Sequence, residues 1–141
     1  MTVRIKTLVY SRPFLEFLAA TQKPLTILIA SKQVWKEPIY KAAVERYQDK
    51  CSLVESKDLF EHPKDYRLNY PDYLYPFKAA IVVYDGGFIG KGVYDELYQL
   101  VLQQTPIFVF DGTKEYYLNR VKLNDSLEDW TQYASLVLSE V

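Results

Sequence analysis

Carboxylates gather around one glycine-rich loop in this chain. Asp85 precedes Gly86-Gly87, the loop runs on to Gly90-Lys91-Gly92, and Asp95 and Glu96 follow at once. A fourth acid, Asp72, lies upstream. Such groups act as nucleophiles, or as acids and bases, when a fold brings them to one bound molecule. They also have a plainer role, because an acid near the start of a helix stabilises the positive end of its dipole. That role alone accounts for Asp95 and Glu96 as sequence features. Other chemistries are poorly supplied. The chain has one histidine, His62, and one cysteine, Cys51, at no metal-ligand spacing. No G-x-S-x-G elbow accompanies His62. A Walker loop needs four residues before Gly-Lys and then a hydroxyl side chain. Here three residues separate Gly86 from Gly90-Lys91, and Gly92 takes the hydroxyl position. The G-x-G-x-x-G dinucleotide pattern is absent as well.

The loop is held between regular elements. Ile81-Val82-Val83-Tyr84 is an apolar β-branched run before it; Val93, Leu97, Leu100 and Val101 then recur at helical spacing, and Ile107-Phe108-Val109-Phe110 is a second apolar run. Strand, loop, helix, strand in that order predicts a βαβ unit with parallel strands, whose ligands bind outside the carboxyl ends. The amino half repeats the pattern. Leu25 to Ala30 reads as a buried strand, Ser31-Lys32-Gln33 as a loop, a helix starts at Glu37-Pro38 and runs to about Lys50, and Cys51 to Glu55 is a second strand. Residues 56–78 read as a long, proline-punctuated connection with a helical turn from Asp72 to Phe77. Its tyrosines, Tyr66, Tyr70, Tyr73 and Tyr75, suit amphipathic packing better than a stacking wall for a ligand ring. Asp111-Gly112 is a turn, Tyr116 to Leu123 a fifth strand, and Asn124-Asp125-Ser126 a cap for a last helix from Leu127 to Leu138. Within residues 1–23, Val3 to Tyr10 has strand character and Phe14 to Ala20 that of a short helix, together an extension or an arm on a neighbour. The expected fold is a single α/β domain: a doubly wound, mainly parallel five-stranded sheet in a flavodoxin/Rossmann-like three-layer sandwich.

Composition narrows the function classes. The 141 residues suit one domain, and 49% hydrophobic content allows a sizeable core. A net charge of -1 does not point to a nucleic-acid polymer or an anionic membrane. No apolar run approaches the ~20 residues of a membrane span. The amino terminus lacks a signal-like core with a small-residue cleavage site, so the expected location is the cytoplasm.

Three stretches resemble the nucleoside 2-deoxyribosyltransferase-like superfamily, which includes 2'-deoxynucleoside 5'-phosphate N-hydrolases. Leu25 to Ser31 resembles the family's first strand and its small-residue loop. Asp72 stands nine positions before Ile81, as the family's acid does before its central strand. Gly92-Val93-Tyr94-Asp95-Glu96-Leu97 is similar to the family's G-T-x-x-E-L. The match departs at three places: Gly90 replaces an acid, Val93 a threonine, and Tyr98 a glycine. The resemblance implies cleavage or transfer at the N-glycosidic bond of a 2'-deoxyribonucleoside or its 5'-monophosphate. Glu96 would be the nucleophile and Asp72 would protonate or hold the base, on one shared cleft. Ser31 and Asp85 would line the sugar side, and Gly90, Lys91 and Gly92 would meet a 5'-phosphate. It implies no metal and no cofactor, a small nucleoside or nucleotide as partner, and a homo-oligomer. A silent nucleotide-binding sensor, or an interaction module, is the alternative on the same fold.

Overall fold

The computed structural model describes residues 23–87, 89–124 and 133–141. The expected elements over Val3 to Tyr10 and Phe14 to Ala20, the cap residues Asp125 and Ser126, and the start of the expected last helix lie outside the described residues. The strands are β1 (Leu25–Ile29), β2 (Ser52–Glu55), β3 (Ala79–Val83), β4 (Ile107–Phe110), β5 (Glu115–Leu123) and β6 (Ala134–Glu140). The helices are α1 (Pro38–Tyr47), α2 (Lys64–Asn69) and α3 (Lys91–Leu102). Short 3-10 turns cover Lys32–Val34, Ser56–Asp58 and Asp72–Leu74.

The strands form one six-stranded sheet in the order β2-β1-β3-β4-β5-β6. β2, β1, β3 and β4 run parallel, whereas β5 and β6 are antiparallel to their neighbours. This corrects the expected mainly parallel, five-stranded, doubly wound sandwich. The sheet is mixed, the helices among the described residues are few, and Ala134–Glu140 is a strand where part of a helix was expected. The connection length explains the first reversal. Only residues 111–114 separate β4 from β5, while a parallel return needs a crossover of a dozen or more. The Asp111 carboxylate accepts hydrogen bonds from the backbone N–H groups of Thr113 (2.8 Å) and Lys114 (2.9 Å), and Gly112 adopts φ +102, closing a tight turn. β6 then pairs Leu138 with Leu118 and Leu136 with Val121, and both leucines pack on the core. Alternate residues reach the core in that register, as a strand requires and a helix does not.

Two cores sandwich the parallel strands. Ile27, Ile29, Ala80, Val82 and Val109 face α3 and the 56–78 connection. Leu28, Ile81, Val83 and Phe110 face α1, meeting Tyr40, Ala43 and Tyr47. The period-two alternation through β1 and β3 puts apolar residues on both faces, which is why these strands read as unbroken hydrophobic runs. α1 is tied to the start of β5 as well. The Arg46 guanidinium donates to both carboxylate oxygens of Glu115 (2.6 and 3.1 Å), and the Tyr47 hydroxyl donates to the same group (2.7 Å). The 56–78 segment is not a plain loop: α2 lies within it, its Asn69 amide donating to the Asp65 carbonyl at 2.8 Å.

α3 buries Val93, Glu96, Leu97 and Leu100, spaced i, i+3, i+4, i+7. Val101, expected on that face, is exposed. The helix ends in a Schellman arrangement. Gln104 N–H donates to the Val101 carbonyl (3.0 Å) and Thr105 N–H to that of Leu100 (2.9 Å), with Gln104 itself at φ 62. A side chain in this left-handed conformation costs roughly 1 kcal/mol that glycine does not. Gln104→Gly should therefore stabilise the protein by about 0.5–1 kcal/mol, measured as a rise in the urea midpoint at unchanged slope.

Candidate active site

The carboxyl ends of β1 and β2, with the amino end of α3, enclose a cleft of about 520 Å³. Ala30 and Ser31 follow β1, Ser56 and Lys57 follow β2, and Gly90, Gly92, Val93 and Glu96 come from the start of α3. Phe60, Pro63, Tyr66 and Tyr73 wall it from the 56–78 segment, and Trp35 stands at the rim. β1 is the strand from which the chain steps outward to β2 and then back past itself to β3. Parallel sheets open a crevice at such a reversal, because the flanking connections leave on opposite faces.

Glu96 lies within the cleft at 8% exposure. Its burial follows from α3: position 96 shares the face of Val93, Leu97 and Leu100. The carboxylate is not left bare. The Tyr73 hydroxyl donates to Oε2 at 2.8 Å and the Ser56 hydroxyl donates to the same oxygen at 3.0 Å. Both hydrogen bonds fall on one oxygen, and among the described residues the other, Oε1, accepts none. Burial pushes the carboxyl up to about 7; the hydrogen bonds from Tyr73 and Ser56 pull the other way, and the Asp95 charge adds a smaller upward push. Burial first, and then the Glu96 charge, hold the Tyr73 hydroxyl far above its ordinary value, so it remains a donor.

The tyrosines of the 56–78 segment pack on one another, as expected, and two of them also line the cleft. Phe60, Tyr66 and Tyr73 meet edge to face, with ring centroids 4.8, 5.4 and 5.7 Å apart, and the same three rings line the cleft. Tyr66 donates its hydroxyl to the Ser56 carbonyl, which steadies the residue that holds Glu96. Tyr70 joins the cluster through Tyr73 and donates to the Asp95 carbonyl at 2.8 Å. Tyr75 is exposed and outside it. The Trp35 indole donates to the Ala30 carbonyl at 3.1 Å, which fixes the ring at the cleft mouth.

Of the residues singled out from sequence, Glu96, Ser31, Gly90 and Gly92 line the cleft. Asp72, Asp85 and Lys91 are not among its lining residues. Asp72 begins the 3-10 turn whose next residue, Tyr73, reaches Glu96. Successive side chains in such a turn point about 120° apart, so the two do not share one direction. The Asp85 carboxylate accepts the Gly87 N–H at 2.9 Å, closing a turn around Gly86 at φ +94. Lys91 is paired with Asp95 at 2.9 Å. Gly92 is informative for another reason. Its backbone has no positive φ, and a Cβ placed there would meet nothing within 4 Å. Neither strain nor crowding inside the chain requires glycine there. Ser56 and Tyr73 were not legible as site residues. The one available signal for Ser56 is that it follows β2 as Ser31 follows β1.

Among the described residues no group of three or more histidine, cysteine, aspartate or glutamate side chains is placed to hold a metal ion. No described helix is long and apolar enough to cross a membrane. No protein-family model, curated protein or solved structure matches this chain.

Proposed function

We propose that the cleft cleaves or transfers the N-glycosidic bond of a 2'-deoxyribonucleoside or its 5'-monophosphate, with Glu96 as the nucleophile. The observation that carries this reading is the carboxylate of Glu96, buried in a cleft of ligand size, held through Oε2 by Tyr73 and Ser56 and accepting no hydrogen bond on Oε1 among the described residues. In the proposed step Oε1 attacks the anomeric carbon as the bond to the base nitrogen breaks, and that electron pair leaves with the base. Water or a second base then attacks the same carbon, the glutamate departs as carboxylate, and the proton released by the incoming group balances the one taken up by the first base. The transition state resembles an oxocarbenium ion, which a nearby carboxylate stabilises. The sequence resemblance supports the choice of a glycosyl carbon over other electrophiles. The aromatic walls of Phe60, Tyr66 and Tyr73, with Trp35 at the mouth, suit a flat base. Gly90 and Gly92 leave room beside the amides at the start of α3, a favourable place for a phosphate.

The test is incubation of the protein with a panel of deoxynucleosides and their monophosphates, with and without a second free base, reading base release by chromatography. Release of free base, or exchange of bases, is expected for at least one member. Tight nucleotide binding with no cleavage across the panel would replace the enzyme reading with that of a sensor. Gly90, standing where the similar family carries an acid, is the feature that favours that second reading.

A further inference from the structure

The cleft holds a second carboxylate that the proposed reaction does not use. Glu61 lines it from the stretch between β2 and α2, which also supplies Phe60 and Pro63. Among the described residues its carboxylate takes part in no hydrogen bond or ion pair. Lys57 lines the same cleft but is engaged elsewhere, its ammonium 3.1 Å from Asp58 and 3.8 Å from Glu55. Lys32 lines it from the turn after β1 and makes no ion pair with Glu61. The two acids of the lining also differ in depth. Glu96 is buried beneath Tyr73 and Ser56, whereas Glu61 is exposed. With the anomeric carbon at Glu96 and the base among Phe60, Tyr66 and Tyr73, the base points outward with the edge farthest from its sugar. Glu61 is the uncommitted acid on that outward side.

We infer that Glu61 reads this edge, and that the substrate carries adenine or cytosine in preference to hypoxanthine, guanine, uracil or thymine. The inference rests on the N-glycosidic reading of the cleft. Its chemistry is that of donors and acceptors. An ionised carboxylate accepts hydrogen bonds and donates none. Adenine and cytosine present an amino group at the position where guanine and thymine present a carbonyl oxygen. The amino group donates to a carboxylate in a charge-assisted bond. A carbonyl oxygen in the same place meets it lone pair to lone pair, and both groups give up water without gaining a bond. The aromatic walls cannot make this distinction, because every base offers a face for stacking. Discrimination at the outward edge therefore falls to the carboxylate.

Initial rates of base release from paired substrates test this. 2'-Deoxyadenosine is set against 2'-deoxyinosine, and 2'-deoxycytidine against 2'-deoxyuridine, with the 5'-monophosphates run beside them. Each pair exchanges amino for oxo at that one position. In whichever form is cleaved, kcat/KM should favour the amino member of each pair by roughly tenfold or more. Glu61→Gln, whose amide both donates and accepts, should bring each ratio to within about twofold. Its thermal midpoint should match that of the parent, because the replaced side chain is exposed. Calorimetric binding of the same compounds to the parent separates this inference from the reaction it rests on. Amino members bound more tightly but never cleaved would retain Glu61 as the reader of the base and overturn the reaction. Cleavage without preference for the amino members, or a Glu61→Gln protein that keeps the parent's ratios, overturns the inference and leaves the reaction standing. Binding of none of the compounds overturns both.

Discussion

Glu96→Gln is expected to lose turnover by at least about a thousandfold while keeping ligand affinity. The same substitution should make the protein more stable above neutral pH. Both follow from one property of the site. The amide keeps the shape of the carboxylate, and its carbonyl oxygen can accept from Tyr73 and Ser56 as Oε2 does. It cannot supply the attacking oxygen. The stability effect follows from the sign of the shift. Glu96 titrates near 4.5 when unfolded and is pushed up to about 7 when folded. Between those values the folded protein holds the proton and the unfolded chain has lost it, so stability falls as pH rises through the window. The penalty is complete above about 7 and absent well below 4.5. One pKa unit corresponds to ~1.4 kcal/mol, so the glutamine variant should gain up to about 3 kcal/mol at alkaline pH and nothing near pH 4. A carboxylate that merely complemented the helix dipole predicts the opposite sign, a loss of ~0.3–1 kcal/mol on neutralisation. Paired urea titrations at the two pH values, with base release measured on the same samples, decide the matter. A glutamine variant that cleaves as fast as the parent would falsify the assignment of Glu96.

Tyr73→Phe should move the acid limb of the pH–rate profile upward by about one unit and leave the fold nearly untouched. The nucleophile must be ionised, so activity is expected to rise through the Glu96 value of about 7 as protons are removed. The Tyr73 hydroxyl favours the ionised form. A hydrogen bond to a charged group contributes ~1.5–3 kcal/mol, which corresponds to a shift of about one to two pH units once water partly replaces it. Phenylalanine keeps the ring and its edge contacts with Phe60 and Tyr66 at 5.4 and 5.7 Å. Other charged and titratable groups near Glu96 stay in place: Asp95 from its own helix with its partner Lys91, and Tyr66 and Tyr70 from the neighbouring segment. Ser56→Ala should shift the limb in the same direction, and the double variant should show more than either alone. The carboxyl carbon of Glu96, followed by NMR against pH, gives a readout that requires no substrate. An unchanged limb in Tyr73→Phe with an unchanged carboxyl titration removes Tyr73 from the site and leaves it a packing residue.

Local chain chemistry was enough to read the centre of this protein. Leu25 to Ile29 and Ile81 to Val83 are β-branched runs of strand length, and both are buried parallel strands. Pro38 placed the start of α1 because proline is tolerated where a helix has no donor to lose. Glu96 stood out because it follows a glycine loop at the head of a helix, and that position does open on the cleft. These features depend on residues close together in the chain, whose periodicity and caps carry the signal.

The remainder depends on partners far away in sequence. Leu136-Val137-Leu138 suits a helix or a strand equally, and only pairing with Leu118 and Val121 of β5 settles it as β6. The four-residue link after Phe110 turned the sheet antiparallel, which no propensity of the β5 residues themselves expresses. At the site the decision was finer. Asp72 and Tyr73 are neighbours in sequence, and the turn that carries them delivers the phenol to Glu96. Ser56 approaches from 40 residues away on another strand end. A carboxylate's partners are chosen by where strands end and helices cross, and these placements exist only once the two cores have packed.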